Sequence, residues 1–323
     1  MLQQEAISVM NKMGKDRAPF IFIIDYSMHN CVILPSYEAE QHGILFNFNG
    51  YQNYSDSSWP KQPFISNIRP VGYEEYWRAF EFVKRELNMG NSYLVNLTFP
   101  STIDLNVMLK DIFHYSNALF KLLYKDDFVV FSPERFVRIS HGKIQTHPMK
   151  GTISADVENA RETILNDEKE RAEHATIVDL LRNDISKYAS RVRVERFRYV
   201  ERITSNSRNL LQVSSEITGV LPNNYQAMLG DIIFSLLPAG SVTGAPKSKT
   251  LEIIKNAENY NRGFYTGIAG YFDGATLDSC VLIRFIEKSG NHYLYKSGGG
   301  ITSESNAEKE YKELIDKIYV PSD

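Results

Sequence analysis

The chain has 323 residues, of which 43% are hydrophobic and 23% charged, which suits a globular protein of one large domain or two ordinary ones. The net charge of −3 provides no basic field for nucleic acid, and no apolar run approaches the roughly 18 residues that span a membrane. Two cysteines, Cys31 and Cys280, exclude a disulfide framework, and the N-terminus has no signal-peptide pattern, so we expect a cytoplasmic protein.

The first 125 residues contain short strands, a loop and two helices in our prediction. The strands are expected at 20–25, 31–34, 44–49 and 92–99. A segment rich in turn-forming residues, 50–63, indicates a loop. Helices are predicted from about Tyr73 to Asn88, where apolar residues recur at helical spacing, and over 104–125, beginning at an Asp cap.

The rest of the chain mixes helices and strands without regular alternation. Strands are predicted at 128–132, at 135–148 with a turn at His141-Gly142, at 191–204, at 211–219 and within 264–301. Helices are predicted over 156–186, 224–236, 246–259 and 306–319. This mixed order indicates an α+β fold with antiparallel sheets, not a doubly wound parallel sheet.

The stretch "THPMKGT" (146–152) places Lys150 between a strand end and a glycine. Taken alone, this lysine has two interpretations. It is a solvated turn residue, or it is a nucleophile held in a pocket.

Two predicted helices each carry a pair of glutamates three residues apart. Glu170 and Glu173 share a face of one helix, and Glu310 and Glu313 share a face of the last. A solvated charged surface explains one such pair, whereas two pairs beside apolar stripes can converge on a hard cation. Oxygen ligands without a nearby cysteine favour magnesium over zinc.

Two glycine-rich stretches offer backbone N–H groups to an anion. In "PAGSVTGAPKSKTLEII" (238–254), a helix start is preceded by Gly240, Ser241, Thr243 and Gly244, which offer backbone N–H groups and hydroxyls, although the spacing is not that of a P-loop and a structural loop stays an alternative. The three glycines of "SGGGITSES" (297–305) either let a ligand approach the backbone closely or make the end of a hairpin flexible. Arg284, in an apolar strand, needs an anionic partner, either an internal carboxylate or a substrate carboxylate.

Together these motifs resemble the chorismate-utilising enzymes, which include the large subunit of anthranilate synthase, aminodeoxychorismate synthase component I, isochorismate synthase and salicylate synthase. The matching stretches follow the family's order over roughly residues 72 to 320: "GNSYLVNLTF", "SPERF", "THPMKGT", "DEKERAEHATIVDLLRND", "PAGSVTGAPKSKTLEII", "RGFYTGIAGYFDG", "SCVLIRF" and "SGGGITSESNAEKEYKELIDK". The resemblance implies two antiparallel β-sheets packed face to face and ringed by helices, with the active site in a cleft between them. We expect a chorismate-binding catalytic domain over 71–323, with 1–70 as a short strand-rich segment packed on it.

The resemblance also implies a role for each matching residue. Glu134 matches the general acid that protonates the departing ring hydroxyl. Glu173 and Glu310 match the direct ligands of Mg²⁺, with Glu170 and Glu313 in support. The carboxylates of chorismate are expected to be held by Tyr265, Arg284, Lys317 and the backbone of Gly298, Gly299 and Gly300, with Thr243 and Gly244 in the matching anion loop.

Three positions separate the members of the family. The water-adding members carry a lysine base where this chain has Leu94, and a leucine cannot deprotonate water. Aminodeoxychorismate synthases carry a lysine at the position of Lys150, where anthranilate synthases have alanine. Its amine would attack the ring as the hydroxyl leaves, which requires a lowered pKa. Most amine-adding members have histidine where this chain has Gln212, so the anthranilate interpretation weakens further.

The resulting prediction is aminodeoxychorismate synthase component I, with anthranilate synthase component I as the first alternative. A non-catalytic chorismate-binding subunit is an alternative of another class, because Leu94 and Gln212 both depart from the usual pattern. Neither cysteine lies in the Gly-x-Cys-x-Gly turn of a glutaminase. We therefore expect a separate glutamine amidotransferase subunit to supply ammonia, and an aminodeoxychorismate lyase to consume the product on the way to para-aminobenzoate and folate.

Overall fold

The computed structural model describes residues 1–55, 62–204 and 209–321, without the side chains of residues 169, 203 and 204. Within these residues there are eight α-helices and eighteen strands. The helices are α1 (Gln3–Lys15), α2 (Tyr73–Asn88), α3 (Leu109–Tyr115), α4 (Ala160–Asn166), α5 (Glu168–Ile185), α6 (Leu229–Ser235), α7 (Lys247–Ala257) and α8 (Ala307–Asp316). The strands are β1 (Phe20–Ile24), β2 (Cys31–Pro35), β3 (Ile44–Phe48), β4 (Tyr51–Gln52), β5 (Ile65–Arg69), β6 (Leu94–Leu105), β7 (Phe120–Tyr124), β8 (Phe128–Ser132), β9 (Arg135–Ser140), β10 (Lys143–Thr146), β11 (Met149–Ser154), β12 (Ser190–Thr204), β13 (Asn209–Val220), β14 (Gly244–Ala245), β15 (Ile268–Phe272), β16 (Leu277–Val281), β17 (Phe285–Ser289) and β18 (His292–Ile301).

The described strands form two antiparallel sheets of nine strands each. The first sheet has the order β11-β13-β10-β9-β16-β15-β1-β2, and β12 pairs with the free side of β13. The second has the order β14-β6-β18-β17-β8-β7-β3-β4, and β5 pairs with β6. The expected α+β class with two antiparallel sheets is confirmed.

The two sheets pack face to face, and β1 shows how the sequence specifies this. All five of its residues are buried, so its pattern is continuous and not alternating. Ile21 and Ile23 belong to a cluster with side chains of the second sheet, such as Phe46 and Leu122. Their neighbours on β1 point the other way, towards a helical layer.

Helices cover the outer faces of both sheets. On the first sheet, α1, α5 and α6 pack over a cluster that includes Phe22, Met10 and Ile232. On the second, α2, α7 and α8 pack over β6 and β18, and α3 packs over β7 and β8. Helices thus surround the two packed sheets, as the family resemblance implied.

The chain passes from one sheet to the other between β16 and β17. Residues 282–284 make this crossing, and Arg284 adopts a left-handed backbone conformation with φ of 54°. Because such a conformation is unfavourable for a residue with a side chain, the packing around Arg284 must hold it there. The crossing therefore fixes an arginine at the junction of the two sheets.

The predicted helix over 104–125 is wrong. Strand β6 runs on to Leu105, where it pairs with β5, and only the short α3 follows. Residues 120–124 form β7, a buried strand between β3 and β8. Here the apolar spacing fits a helix, but pairing with two neighbouring strands decides the structure.

Three smaller expectations also change. The N-terminus, left without an element in the prediction, begins with α1, which packs on α6 through Asn11 hydrogen bonds to Gly230 and Asp231. The helical region 156–186 is broken at Asp167, which caps α5 by accepting a hydrogen bond from the backbone of Glu170. The predicted loop 50–63 contains the short strand β4, and part of it lies outside the described residues. The boundary predicted at residue 70 stays a prediction.

Candidate active site

A cavity of about 580 Å³ lies between the two sheets. One wall comes from β11 and β13 of the first sheet with α5, and the other from β6 and β18 of the second sheet with α8. This volume suits a small organic ligand. The cavity brings together most of the predicted site residues: Glu134, Lys150, Glu170, Glu173, Tyr265, Arg284, Gly298, Gly299, Gly300, Glu310, Glu313 and Lys317.

Two predicted residues, Thr243 and Gly244, lie behind the wall. The Thr243 side chain is fully buried and donates its hydroxyl hydrogen to the Ala239 carbonyl at 2.9 Å. Gly244 pairs with β6 in strand β14. The residues of this loop that line the cavity are Ser241 and Val242, so the role predicted for Thr243 and Gly244 stays a prediction.

Lys150 enters the cavity from an irregularity in strand β11. Its pairing with β13 shifts register between Met149 and Thr152, and Gly151 adopts a positive φ of 87°. This β-bulge turns the lysine out of the ladder and towards α5. Its Nζ lies 2.7 Å from Oε2 of Glu173.

The expected lowering of the Lys150 pKa is wrong for this arrangement. Burial acts to lower the pKa of the ammonium, but the negative charges of Glu173, Glu170 and Glu313 outweigh burial and raise it. In this arrangement Lys150 is therefore a protonated ion-pair partner of Glu173.

Glu134 projects into the cavity just after β8. Its backbone N–H donates to the Ser132 hydroxyl at 3.1 Å, and its Oε1 accepts a short hydrogen bond from Ser241. Burial raises the pKa of the Glu134 carboxyl, while the Ser241 hydroxyl and the nearby cations oppose that rise. A carboxyl with a raised pKa is suited to deliver a proton near neutral pH.

The two glutamate pairs lie on opposite walls, each beside a glycine. A methyl group at Gly299 would lie 3.5 Å from Oε2 of Glu310 and 3.8 Å from Oε1 of Glu313. A methyl group at Gly151 would lie 3.2 Å from Oε2 of Glu170. The glycines thus let the main chain pass close to the carboxylates of both helices.

The four carboxylates match the ligand chemistry of magnesium. Carboxylate oxygens suit this hard cation, and the cavity lining among the described residues contains neither cysteine nor histidine. As arranged in the described residues, no three acidic, histidine or cysteine side chains already converge on one point. Glu173 contacts Lys150, and Glu313 lies 2.7 Å from the Lys317 ammonium. To bind magnesium through the oxygens that contact ammonium groups here, Glu173 would have to release Lys150, and Glu313 would have to release Lys317.

A group of polar side chains in the same cavity is suited to bind anions. Lys317 donates to the Gly298 carbonyl at 2.7 Å, and burial lowers the pKa of its ammonium while Glu313 opposes this. Arg284 forms no salt bridge within the described part of the chain. Burial raises the pKa of the Tyr265 hydroxyl, which therefore stays protonated as a hydrogen-bond donor. Arg284 is thus available for an anionic ligand.

Leu94 and Gln212, the two positions that depart from the family pattern, both line the cavity. A methyl group at Gly300 would lie 3.0 Å from Cδ1 of Leu94 and 3.3 Å from Nζ of Lys150. The leucine side chain is 4% exposed. It therefore presents an apolar surface beside the Lys150 amine.

Three residues outside the predicted catalytic, substrate-binding and metal set shape this site. Ser241 binds Glu134, and Tyr319 contacts Arg284. His174 is fully buried, its Nε2 lies 2.7 Å from the Ser215 hydroxyl, and burial lowers its pKa to about 4. His174 lies next to Glu173 in the predicted helix and Ser241 in the predicted anion cradle, whereas Tyr319 carries no local pattern.

The chain is similar to known proteins both in sequence and in fold. The family described as chorismate binding enzyme matches residues 28–323. An uncharacterised PabA-like protein of Pasteurella multocida is 48% identical over 316 residues, which cover 98% of each chain. Aminodeoxychorismate synthase component 1 of Bacillus subtilis is 32% identical over 266 residues, covering 77% of this chain and 55% of that protein.

Among solved structures, MenF, the menaquinone-specific isochorismate synthase of Escherichia coli, is similar with a TM-score of 0.72. The match covers 97% of this chain and 80% of that one at 16% sequence identity, and so shows the shared fold. In the described residues, no helix has both the length and the apolar character needed to cross a membrane.

Proposed function

The chain belongs to the chorismate-binding enzyme family, and on that premise we propose that it is an aminodeoxychorismate synthase component I. The observation that carries this proposal is the presence of the Lys150 amine and the Glu134 carboxyl in one cavity. An acid and an amine nucleophile are the two groups that amination through a covalent adduct requires. Leu94, which is no base for water, supports amination over hydration.

In the proposed reaction, Glu134 donates its proton to the ring hydroxyl of chorismate, and the carbon–oxygen bond breaks to release water. The deprotonated amine of Lys150 attacks the ring as the hydroxyl leaves and forms a carbon–nitrogen bond. Ammonia then adds at the carbon that lost the hydroxyl, and the lysine departs with the electrons of its own bond to the ring. Arg284 and Lys317 hold the carboxylates of the substrate during these steps.

We propose magnesium as the cofactor, held by Glu173 and Glu310 with Glu170 and Glu313 in support. When bound, the ion supplies positive charge that holds a carboxylate of the substrate. Because Glu173 then has a metal partner, its hold on the Lys150 ammonium weakens. This exchange is the source that we propose for the lowered lysine pKa that nucleophilic attack needs.

A glutamine amidotransferase subunit is the proposed source of ammonia, and an aminodeoxychorismate lyase is the proposed consumer of the product. Support comes from the similarity to an aminodeoxychorismate synthase component 1. In the described part of the chain, both cysteines are buried in strands of the first sheet, away from the surface where a glutaminase nucleophile would act. We therefore expect free ammonium to replace the partner in vitro.

The test is incubation of the purified protein with chorismate, magnesium chloride and an ammonium salt, with and without an added aminodeoxychorismate lyase. The expected result is para-aminobenzoate only when the lyase is present. Anthranilate formed without the lyase would contradict the proposal and support the anthranilate synthase alternative. Tight chorismate binding without any turnover would support a non-catalytic subunit instead.

A substitution tests whether Lys150 acts as a nucleophile or only as a structural residue. Lys150→Ala is expected to lower aminodeoxychorismate formation by at least about 10³-fold, because the covalent step is lost. Lys143→Ala, at an exposed position on the neighbouring strand β10, is the matched control and should keep wild-type turnover. Normal product formation by Lys150→Ala would exclude a nucleophilic role.

A further inference from the structure

The segment that follows α8 forms part of the cavity wall. Lys317 and Tyr319 line the cavity, while Ile318 and Val320, between and after them, pack into the core beside α3. Lys317 is the C-cap of α8 in helical conformation, and the chain leaves the helix there. Tyr319 thus lines the cavity from the segment just after the helix end.

Hydrogen bonds hold the backbone of this segment at Tyr319 and two residues beyond it. The Tyr295 hydroxyl donates to the Tyr319 carbonyl at 3.0 Å, and the Asn117 backbone N–H donates to the Pro321 carbonyl at 3.2 Å. The Tyr319 side chain itself is not packed away, because the residue is 42% exposed. A tyrosine on a fixed backbone that stays open to the cavity is able to meet a ligand or a ligand-binding side chain.

The Tyr319 side chain contacts the guanidinium of Arg284. Its hydroxyl accepts a hydrogen bond from Nε of Arg284 at 3.3 Å, and the guanidinium carbon lies 5.2 Å from the centre of the tyrosine ring. A guanidinium binds a carboxylate with two parallel N–H groups, either through Nε and one terminal nitrogen or through both terminal nitrogens. Because Nε donates to Tyr319, the edge formed by the two terminal nitrogens is left for a ligand. No described side chain accepts a hydrogen bond from those terminal nitrogens.

We propose that Tyr319 is a positioning residue that holds Arg284 with its two terminal nitrogens towards a carboxylate of the substrate. This inference rests on the proposed function, because it takes the ligand of Arg284 to be a chorismate carboxylate. Tyr319 acts through the arginine, so it affects substrate binding and not the chemical step.

The test compares chorismate affinity and turnover in Tyr319→Phe, Arg284→Lys and the double variant. Tyr319→Phe keeps the ring and removes the hydroxyl, and it should raise both the Kd and the KM for chorismate about tenfold, with kcat within about twofold of wild type. In the Arg284→Lys background, which has no Nε–H, the same change should raise the Kd by less than about twofold. Tyr37→Phe, at an exposed tyrosine outside the cavity lining, is the matched control.

The outcomes separate this inference from the proposed function. Wild-type protein that neither binds nor turns over chorismate contradicts the proposed function, and the inference with it. Wild-type protein that binds chorismate, with Tyr319→Phe unchanged in Kd or with additive effects in the double variant, overturns the inference alone. A drop in kcat at unchanged KM also overturns it, and unchanged thermal unfolding confirms that each variant is folded.

Discussion

The Ser241 hydroxyl affects the pKa of Glu134, which matters for the proposed role of this carboxyl as general acid. Removing the hydroxyl in Ser241→Ala takes away a hydrogen bond that stabilises the charged carboxylate, so the pKa of Glu134 rises further. The general acid must be protonated to act, and a higher pKa keeps it protonated to higher pH. The alkaline limb of kcat/KM should therefore move to higher pH, as followed in a pH–rate profile. Ser235→Ala, at a hydroxyl on α6 that bonds a helix carbonyl, is the control, and an unmoved or lowered limb in Ser241→Ala would contradict the assignment.

Lys150 offers a second test at the level of a single side chain. Burial acts to lower the pKa of its ammonium, but the contact with Glu173 raises it, so the amine stays protonated in this arrangement. If magnesium takes Glu173, the amine should titrate at lower pH and react faster with an amine-acylating reagent. Peptide mass spectrometry at pH 8 should show modification of Lys150 increased about fivefold or more by magnesium, while the exposed Lys143 is unaffected. Equal rates with and without magnesium would show that the metal does not compete for Glu173.

At the scale of the element, the bulge in β11 is what turns Lys150 into the cavity. Gly151 and Gly142 both adopt a positive φ, of 87° and 72°, but a methyl group at Gly151 meets Glu170 and Ile164, whereas one at Gly142 meets open space. Gly142→Ala should lower the free energy of unfolding by about 1 kcal/mol and leave activity per folded molecule intact. Gly151→Ala should have a similar or larger effect on stability and also lower kcat/KM at least about tenfold. Urea denaturation and steady-state kinetics check both, and equal kinetics in the two variants would show that the bulge does not position the lysine.

The elements differ in how far the sequence alone predicts them. Helix α2 was predicted with its bounds because Tyr76, Phe80 and Val83 recur at helical spacing and are buried. The segment 120–124 was not, because its burial between the following strand β8 and β3, which lies far back in the chain, outweighs an apolar spacing that also fits a helix. Pairing partners far apart in the chain are not visible in a local pattern, which is the physical reason for the error.

The same distinction holds for the site within the whole molecule. Lys150, Glu134 and the two glutamate pairs were found because each lies in a stretch of sequence that resembles a family motif. The contact of Ser241 with Glu134 and the place of Tyr319 beside Arg284 were not predicted, since each joins residues 107 and 35 positions apart. A pocket assembled from both sheets reveals such residues only when the sheets are packed.

One buried cluster joins the parts of the molecule that carry the cavity. Arg262 forms a double hydrogen bond with Glu258 at 2.8 and 2.6 Å, and both side chains are 2% exposed. The same guanidinium donates to the carbonyls of Asn96 at 2.7 Å and Val242 at 2.9 Å. It therefore ties β6 and the loop before β14 to the segment that holds Tyr265.

Breaking this cluster should affect stability and activity together. Arg262→Met leaves the Glu258 carboxylate buried without its cation and releases two backbone carbonyls, so we expect the free energy of unfolding to fall by about 3–5 kcal/mol. Arg69→Ala removes an ion pair with Asp104 whose side chains are 52% and 43% exposed, and it should change stability by less than about 1 kcal/mol. The measurement is urea denaturation, combined with kcat/KM per folded molecule, which should fall for Arg262→Met alone because the cluster aligns Asn96 and Val242, which both line the cavity. Arg262→Met that is as stable and as active as Arg69→Ala would contradict this role. It would show that the packing of the two sheets holds the cavity lining in place without the buried charges.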